Sequence, residues 1–513
     1  MKYTSIKYQQ LFIILVASVC YFALGINSIN TWSVTYDEGD HYSYAIRSAK
    51  GHPEKVVAFE DASCMPVSII NIFPRMAEQL IHPKVVKTDG GVQDIIRGRY
   101  VTLIAGFFVL ILMYVWLFKI TSKSVATVGF ALGSVCPNLI SQSSLVTTDA
   151  YAALFFLATL FFLHNWYIKP TVKNFIIFSF VFAATFLVKQ SLIILIPICL
   201  FFIAVKLFKT KQLSQSLLLF GLFCIINIIV LNIGFQFNHA AHFNFKSSAF
   251  QILDNNMLFS NIVAKILPGP FLQGIDEVMF MDNLPVGDIR NLPFIFINGD
   301  FVLAKTACKQ FFFQTFIFKT PLVFLIGWGL CLFSSIKAKK LTMALLFGLL
   351  PLFILLFFTF FVHSKVGVRH ILIIYPFVIM SAAIGFSKLK TQWLIAIFAL
   401  HIFIIFTYRN NLLAYTNELV LGNKNKINFA GSVNLEYNQC RKMQANKAFA
   451  NIYTIDSAIN IGDTLNLPMS NLFYIPDSLH NKNNIFKNYS ILGIYKNNTV
   501  TVVKKTDKNK INQ

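Results

Sequence analysis

Four short stretches of the chain carry ionisable residues whose types and surroundings could do chemistry. Asp37 and Glu38 lie in TYDEGDHYSYA, Asp149 in SLVTTDAYAALFF, Lys189 in LVKQSLIILIP, and Arg369 with His370 in KVGVRHILIIYP. A carboxylate can take the proton of a reacting hydroxyl, or lend oxygens to a divalent cation. A cationic side chain stabilises charge that develops on a departing group. Each stretch borders a long apolar run, where an ionisable group is expensive to hold unless it is paired or functional.

Each residue also has a plainer reading. Glu38 reads as a solvated loop acid, and Asp37 divides evenly between that and function. Asp149 follows Thr147 and Thr148 and suits a helix cap or first-turn acid. Lys189 and Arg369 taken singly read as interfacial side chains that snorkel, and His370 as an anchor of a helix end. The functional reading gains from their conjunction on one membrane face, which independent caps and anchors do not require.

That face follows from the apolar runs. The 513 residues are 56% hydrophobic, 15% aromatic and only 13% charged, with a mean hydropathy of +0.62. A soluble protein of this size carries about a quarter charged residues, so an ordinary soluble chain is excluded. High apolar content and aperiodic Gly and Pro exclude a disordered or collagen-like chain. Runs long enough to span the ~30 Å hydrocarbon core read as about eleven spans: 9–30, 99–118, 124–145, 148–167, 174–188, 190–205, 213–235, 309–334, 341–362, 368–386 and 391–408. The first is too long, and lacks a small-residue cleavage site, for a removed signal peptide.

The net charge of +22 would suggest nucleic acid on a soluble chain, but its placement sets topology instead. Short loops hold Lys119 and Lys123; Lys169 and Lys173; Lys206, Lys209 and Lys211; Lys337, Lys339 and Lys340; and Lys388 and Lys390, with no Asp or Glu. Such loops stay cytoplasmic. The N-terminus, with Lys2 and Lys7, is then inside, and segments 31–98, 236–308 and 409–513 are outside. All the candidate site residues fall at outer ends of spans.

The expected fold is an all-α polytopic membrane domain over 1–408 and a small extracytoplasmic α/β domain over 409–513, where runs such as SILGIY and TVTVVKK alternate. Segment 31–98 is expected to hold short interfacial helices, and 236–308, with PGPFLQG and INGD, to be a loop. Cys64, Cys308 and Cys440 lie on the outer side without the spacing of a zinc site or a disulfide framework. No internal repeat is visible, which weakens a transporter reading.

TYDEGDHYSYA, CPNLISQSSLVTTDAYAALFFLATLFF, FLVKQSLIILIP, FIFKTPLVFLIGWGL, GVRHILIIYPFVIM and LLAYTNELVLG occur in this order. In that register the chain resembles bacterial GT-C membrane glycosyltransferases similar to protein O-mannosyltransferases and lipid A aminoarabinose transferases. The resemblance spans residues 30 to about 440. It places the family's first-loop acid on Asp37, with Glu38 completing an Asp-Glu pair, and the second-turn acid on Asp149. It places the basic residues on Lys189 and Arg369, with His370 where Tyr is common. The KTP motif falls on Lys319, Thr320 and Pro321, with Lys319 a structural candidate. Two departures bear on the acceptor: SCMPVSII stands where His-Pro-Pro-Leu is frequent, and SVNLEYNQC, with Ser432, Glu436 and Cys440, replaces a more acidic stretch.

The resemblance implies a polyprenyl-phosphate sugar as donor and a hydroxyl of a protein, lipid A or a surface glycan as acceptor. Transfer would take place at the outer face of a bacterial inner membrane. Lys189, Arg369 and His370 would meet the donor phosphate, Asp37 would act as base and Asp149 would orient the acceptor; one displacement inverts the anomeric centre. Asp37, Glu38 and Asp149, with His41, are candidate ligands for a divalent cation (Mg, Mn or Zn), although carboxylates also act without metal. A lipid-linked-sugar flippase and an inactive scaffold are the alternative classes.

Overall fold

The computed structural model describes residues 2–420 apart from 33, 57–60, 83–90, 211–212, 240–244, 255–263, 284–293, 298–299, 304–308, 339–343, 363–366 and 410–411. In the tail it describes four strands. The first half runs α1 (Lys2–Thr31), α2 (Tyr36–Ala49), a 3-10 helix (Pro66–Ile72), α3 (Phe73–Ile81), α4 (Val92–Ile120), α5 (Lys123–Ser134), α6 (Pro137–Ser143), α7 (Asp149–Ile168) and α8 (Val172–Thr185). A 3-10 stretch (Gln190–Ile194) then leads into α9 (Leu195–Thr210) and α10 (Leu213–Gly234). The second half holds α11 (Ser248–Asp254), α12 (Ala264–Ile266), α13 (Gly269–Asp282), the hairpin β1 (Phe294–Ile297) with β2 (Asp300–Leu303), α14 (Phe311–Lys319) and α15 (Leu322–Lys337). A π-helical stretch (Ala344–Leu349) enters α16 (Leu350–Phe361), a 3-10 stretch (Val368–Ile374) enters α17 (Tyr375–Gly385), and α18 (Thr391–Thr407) closes the membrane region.

Helices dominate because a backbone in hydrocarbon must satisfy its own N–H and C=O groups. Among the described residues five units are long and apolar enough to cross a bilayer, beginning at Tyr8, Val92, Asp149, Leu217 and Val368. Four shorter apolar helices accompany them, at Val172–Thr185, Gln190–Lys206, Phe347–Phe361 and Thr391–Thr407. The chain is a multi-pass membrane protein. Leu11, Phe12, Leu15 and Val19 of α1 are exposed on the bundle's outside, as a lipid-facing helix requires.

Two expected spans are not straight. The run at 124–145 breaks into α5 and α6 with a 61° bend, and that at 309–334 into α14 and α15 at 106°. Pro137 and Pro321 supply the reason, since Pro has no N–H and cannot continue a helix. The second bend is held by a clasp between two motifs. Asn417 donates its side-chain amide to the carbonyls of Ile317 (2.5 Å) and Thr320 (2.7 Å) and its backbone N–H to Phe318 O (2.8 Å). Asn138 Nδ2 donates to Lys319 O at 2.7 Å, and the buried Lys319 ammonium donates to Leu413 O. The structural role read for Lys319 is thus its geometry.

Segment 31–98 contains α2, α3 and the 3-10 helix between them, as expected. Segment 236–308 departs from expectation: PGPFLQG opens the 14-residue α13, which starts on Pro268 and Pro270 and buries Phe271 and Leu272. The Gly and Pro that read as a loop are its N-terminal punctuation. In the tail, β3 (Tyr453–Thr454), β4 (Leu472–Ile475), β5 (Tyr489–Tyr495) and β6 (Val500–Lys505) pair in the order β3-β4-β6-β5. SILGIY and TVTVVKK form the antiparallel β5–β6 pair, and no helix occurs among the described residues beyond 414. Cys308, Cys440, Ser432 and Glu436 lie outside the described residues, whereas Cys64 is buried.

The two ends of the bundle are chemically distinct. At one end Lys119 Nζ donates to Asn165 Oδ1 (3.4 Å) and Lys206 Nζ to Tyr167 O (2.9 Å), so the basic loops meet there. The other end gathers α2, the 3-10 helix at 66–72 and the starts of α4 and α7.

A close approach of α17 to α15 sets a test of packing. A Cβ on Gly385 would collide with the backbone carbonyl of Gly327, and one on Gly327 would come within 2.7 Å of Ala382 Cα. Backbone cannot step aside as a side chain can. Gly385→Ala should lower the stability of the detergent-solubilised protein by about 1–3 kcal/mol, read as a falling midpoint of thermal unfolding. Gly329→Ala, with nothing within 4 Å, should not; equal midpoints for the two variants would contradict this packing.

Candidate active site

The site begins where α1 ends. Thr35 precedes α2 in extended conformation, and its N–H donates to Glu38 Oε2 at 2.7 Å, the back half of a capping box. The same carboxylate takes a bidentate bond from Arg99 of α4, Nε to Oε1 at 2.7 Å and Nη2 to Oε2 at 2.6 Å. Oε1 also accepts the Val146 N–H at 2.8 Å, in the turn ahead of α7. Arg99 Nη1 donates to Trp32 O at 3.1 Å. Both side chains are fully buried. Glu38, expected beside Asp37 as a catalytic acid, is therefore engaged on both oxygens and ties α1, α2, α4 and α7 together.

Asp37, one residue earlier, points elsewhere. Its carboxylate pairs with Arg369, and both stay partly exposed, at 24% and 18%. Asp149 at the start of α7 pairs with Lys189 from the turn after α8, and here the acid is buried. The two expected acids and two expected cations thus meet as two acid–base pairs, drawn from four distant segments. Burial is the largest influence and pushes the Asp37 carboxyl up, but the charge and hydrogen bond of Arg369, with a share from His41, together leave the pKa below the ordinary carboxylate value. The His370 ring lies against Phe312 and Phe358, at centroid distances of 6.3 and 6.2 Å.

His41 sits one helical turn beyond Asp37, on the same face of α2, and is 4% exposed. The charges of Asp37, Asp149, Arg369 and Lys189 all act on its ring. Burial pushes its pKa down to about 4, against the pull of the two acids, so the imidazole is neutral at neutral pH. As metal ligands the four candidates do not form a cage. Glu38, Asp37 and Asp149 are each committed to a cationic side chain, and no cluster of three His, Cys, Asp or Glu occurs among the described residues.

Next to this cluster lies an open apolar groove of about 260 Å³, lined by Phe182, Phe186, Ile193, Phe223, Phe271 and others. Gln190, the residue after Lys189, is in its wall and donates to Ala62 O at 3.1 Å. A second buried cation braces this side. Lys55 Nζ donates to the carbonyls of Asp61 (2.7 Å) and Cys64 (2.6 Å), and Lys55 O accepts from Gln273 of α13 at 3.0 Å. The sequence reading missed Arg99 and Lys55. Arg99 had a usable signal, a charge inside the first turns of an apolar span.

Comparison with known proteins bears on the fold. Residues 91–233 match the family model described as dolichyl-phosphate-mannose-protein mannosyltransferase. The solved structure of ArnT from Cupriavidus metallidurans bound to undecaprenyl phosphate is 13% identical, with a TM-score of 0.50, covering 81% of this chain and 67% of that one. The apo oligosaccharyltransferase of Archaeoglobus fulgidus is 13% identical at a TM-score of 0.47, covering 79% of this chain and 55% of that one. No curated protein sequence matches the chain. The fold resemblance read from the sequence is met: the chain shares the fold of ArnT.

Two outcomes follow from this geometry. Arg99→Met leaves the Glu38 charge buried and uncompensated, so unfolding stability should drop by about 3–5 kcal/mol, with part regained in the Arg99→Met/Glu38→Gln double variant; unchanged thermal unfolding in the single variant would contradict the strut. Arg369→Gln removes the charge that holds Asp37 down, so burial then raises its pKa. If Asp37 must be ionised for activity, the acidic limb of the pH–rate profile at saturating substrate should move to higher pH. A limb that stays in place would separate Asp37 from the titration.

Proposed function

We propose that this chain is an inverting glycosyltransferase that moves a sugar from a polyprenyl-phosphate donor to a hydroxyl at the extracytoplasmic face of the membrane. The observation that carries the reading is the pairing of Asp37 with Arg369 and Asp149 with Lys189 at one end of the bundle. An apolar groove starts at the residue after Lys189. A lipid phosphate needs cations beside an apolar channel, and both lie here. ArnT, whose fold this chain shares, holds undecaprenyl phosphate in its solved structure, which supports a donor of that class. The orientation rests on the five basic loops, and the tail's strands are read as the framework of a small outer domain over 409–513.

In this reading the ion pairs are the resting arrangement. The donor phosphate competes with the two carboxylates for the Arg369 and Lys189 donors. A carboxylate that loses its counter-ion in a partly buried site becomes more basic, so Asp37 gains proton affinity when the donor is in place. The acceptor oxygen then attacks the anomeric carbon from the face opposite the phosphate and passes its proton to Asp37. The bond between that carbon and the phosphate oxygen breaks. The electron pair leaves with the phosphate, whose charge Arg369 and Lys189 neutralise. Phosphate departs without protonation, so no general acid is assigned. Asp149 orients the acceptor; Glu38 acts as a strut, with Arg99 its partner. The sugar is a hexose or pentose, and the acceptor a protein, lipid A or a surface glycan.

The test is transfer in liposomes that hold the full chain and a radiolabelled polyprenyl-phosphate sugar. Label appearing on a hydroxyl acceptor supports the reading; label crossing the bilayer without transfer makes the chain a flippase. Lys189→Ala and Arg369→Ala should each weaken donor binding by roughly 2–4 kcal/mol. Asp37→Asn should lower turnover about a hundredfold or more with donor binding retained. Near-normal turnover in Asp37→Asn, with Asp149→Asn inactive, would exchange the roles of the two acids.

A further inference from the structure

Within the cluster one group is placed as if for a partner from outside the chain. His41 is nine-tenths buried, and its Nδ1 is shielded from solvent without a hydrogen-bond partner among the described residues. Around it stand Asp37 of its own helix, Asp149 at the start of α7, Lys189 after α8 and Arg369 ahead of α17. Those four charges are engaged in pairs, while the imidazole Nδ1 has no hydrogen-bond partner among the described residues. A buried polar atom without a partner costs folding free energy and calls for an explanation.

A second such atom lies in the turn ahead of α7. Thr147 Oγ1, two residues ahead of Asp149, is also buried and without a hydrogen-bond partner among the described residues. That turn packs against α2 through neighbouring residues. Val146 and Tyr42 pack in one cluster, and a Cβ on Gly98 would touch both, at 3.1 and 3.3 Å. The bond from Val146 N–H to Glu38 fixes this turn against α2.

The chemistry of the ligand follows from what these groups lack. Charge for a phosphate is already supplied by Lys189 and Arg369. A neutral imidazole offers one donor and one acceptor, and a threonine hydroxyl does the same. Both complement a hydroxyl, which donates and accepts in turn, whereas an anion only accepts and would use their donors alone. Flanking carboxylates add acceptors of the kind that hold neighbouring hydroxyls.

We infer that His41 Nδ1 hydrogen-bonds a carbohydrate hydroxyl during the reaction, that of the transferred sugar or of the acceptor. This rests on the glycosyltransferase reading and adds to it the residue that distinguishes a sugar-bearing ligand from bare lipid phosphate. His41 is a contact for recognition here, distinct from the base and from a metal ligand.

The test compares the full chain with His41→Leu and His41→Asn in the same liposomes, and measures binding of bare polyprenyl phosphate alongside transfer. Wild-type transfer establishes the underlying reading; without it that reading fails, whatever His41 does. Given wild-type transfer, His41→Leu should lose on the order of tenfold in kcat/KM, the loss expected for one hydrogen bond. Bare polyprenyl phosphate should bind within about twofold of wild type, because no phosphate contact is removed. His41→Asn, whose amide can stand near the Nδ1 position, should recover most of the loss. A rise confined to the donor KM assigns the hydroxyl to the transferred sugar, and one confined to the acceptor KM assigns it to the acceptor; either supports the inference. Unchanged kcat/KM for both substrates in folded His41→Leu would overturn it. So would an equal loss in both variants with a matching loss of thermal stability, which would make His41 a packing residue.

Discussion

Glu38 and Arg99 are fully buried, and a carboxylate and a guanidinium without solvent hold each other there only if every lone pair and N–H finds a partner. They come close to that state. Glu38 takes two bonds from Arg99 and one each from Thr35 and Val146, and Arg99 spends a further N–H on Trp32 O. The consequence reaches both acids. Asp37 adjoins Glu38 in sequence, and Val146 lies three residues ahead of Asp149, so one carboxylate sets the distance between the two segments. The pairs built on this frame differ in kind. Asp37 and Arg369 retain partial solvent access, so exchanging a partner there costs less desolvation than breaking the strut would.

The membrane body was legible in the sequence because hydrocarbon imposes a length and composition on any helix that crosses it. Each apolar run overlies an apolar helix or a bent pair. Loop charge sorted the ends, and the residues singled out at one end, Asp37, Asp149, Lys189 and Arg369, do meet. What was not legible was which would pair with which, since pairing depends on packing between segments 40 and 332 residues apart. Adjacency also misled: Asp37 and Glu38 look like one acidic unit, yet successive helical residues point about 100° apart, and they serve different partners. The bend at Pro321 and α13 within a Gly- and Pro-rich segment were hidden for another reason. Pro marks both a helix start and a break, and only tertiary context separates the two.

The clasp at the α14–α15 bend gives the KTP and LLAYTNEL motifs a shared physical purpose. A right-angled turn inside a membrane domain leaves carbonyls that lipid cannot satisfy. Asn417 and Asn138 supply the missing donors, and Lys319 reaches back to Leu413. Lys319 is thus a charge in an apolar run whose surroundings account for it without chemistry, unlike the paired charges at the bundle's end. Burial alone does not separate the two cases; the nature of the partner does.

The bond between Arg369 and Asp37 joins residues 332 positions apart. At about 5–20 residues per second, a ribosome needs roughly 15–70 s to pass from one to the other. During that interval Asp37 is already made while the cation that completes its pair does not yet exist. No shorter nascent chain contains the whole cluster, and a fragment that stops before the 3-10 stretch at 368–374 lacks one of its four charges. The complete charge cluster in this architecture therefore arrives late in biosynthesis, only after the larger part of the membrane body has been laid down around it.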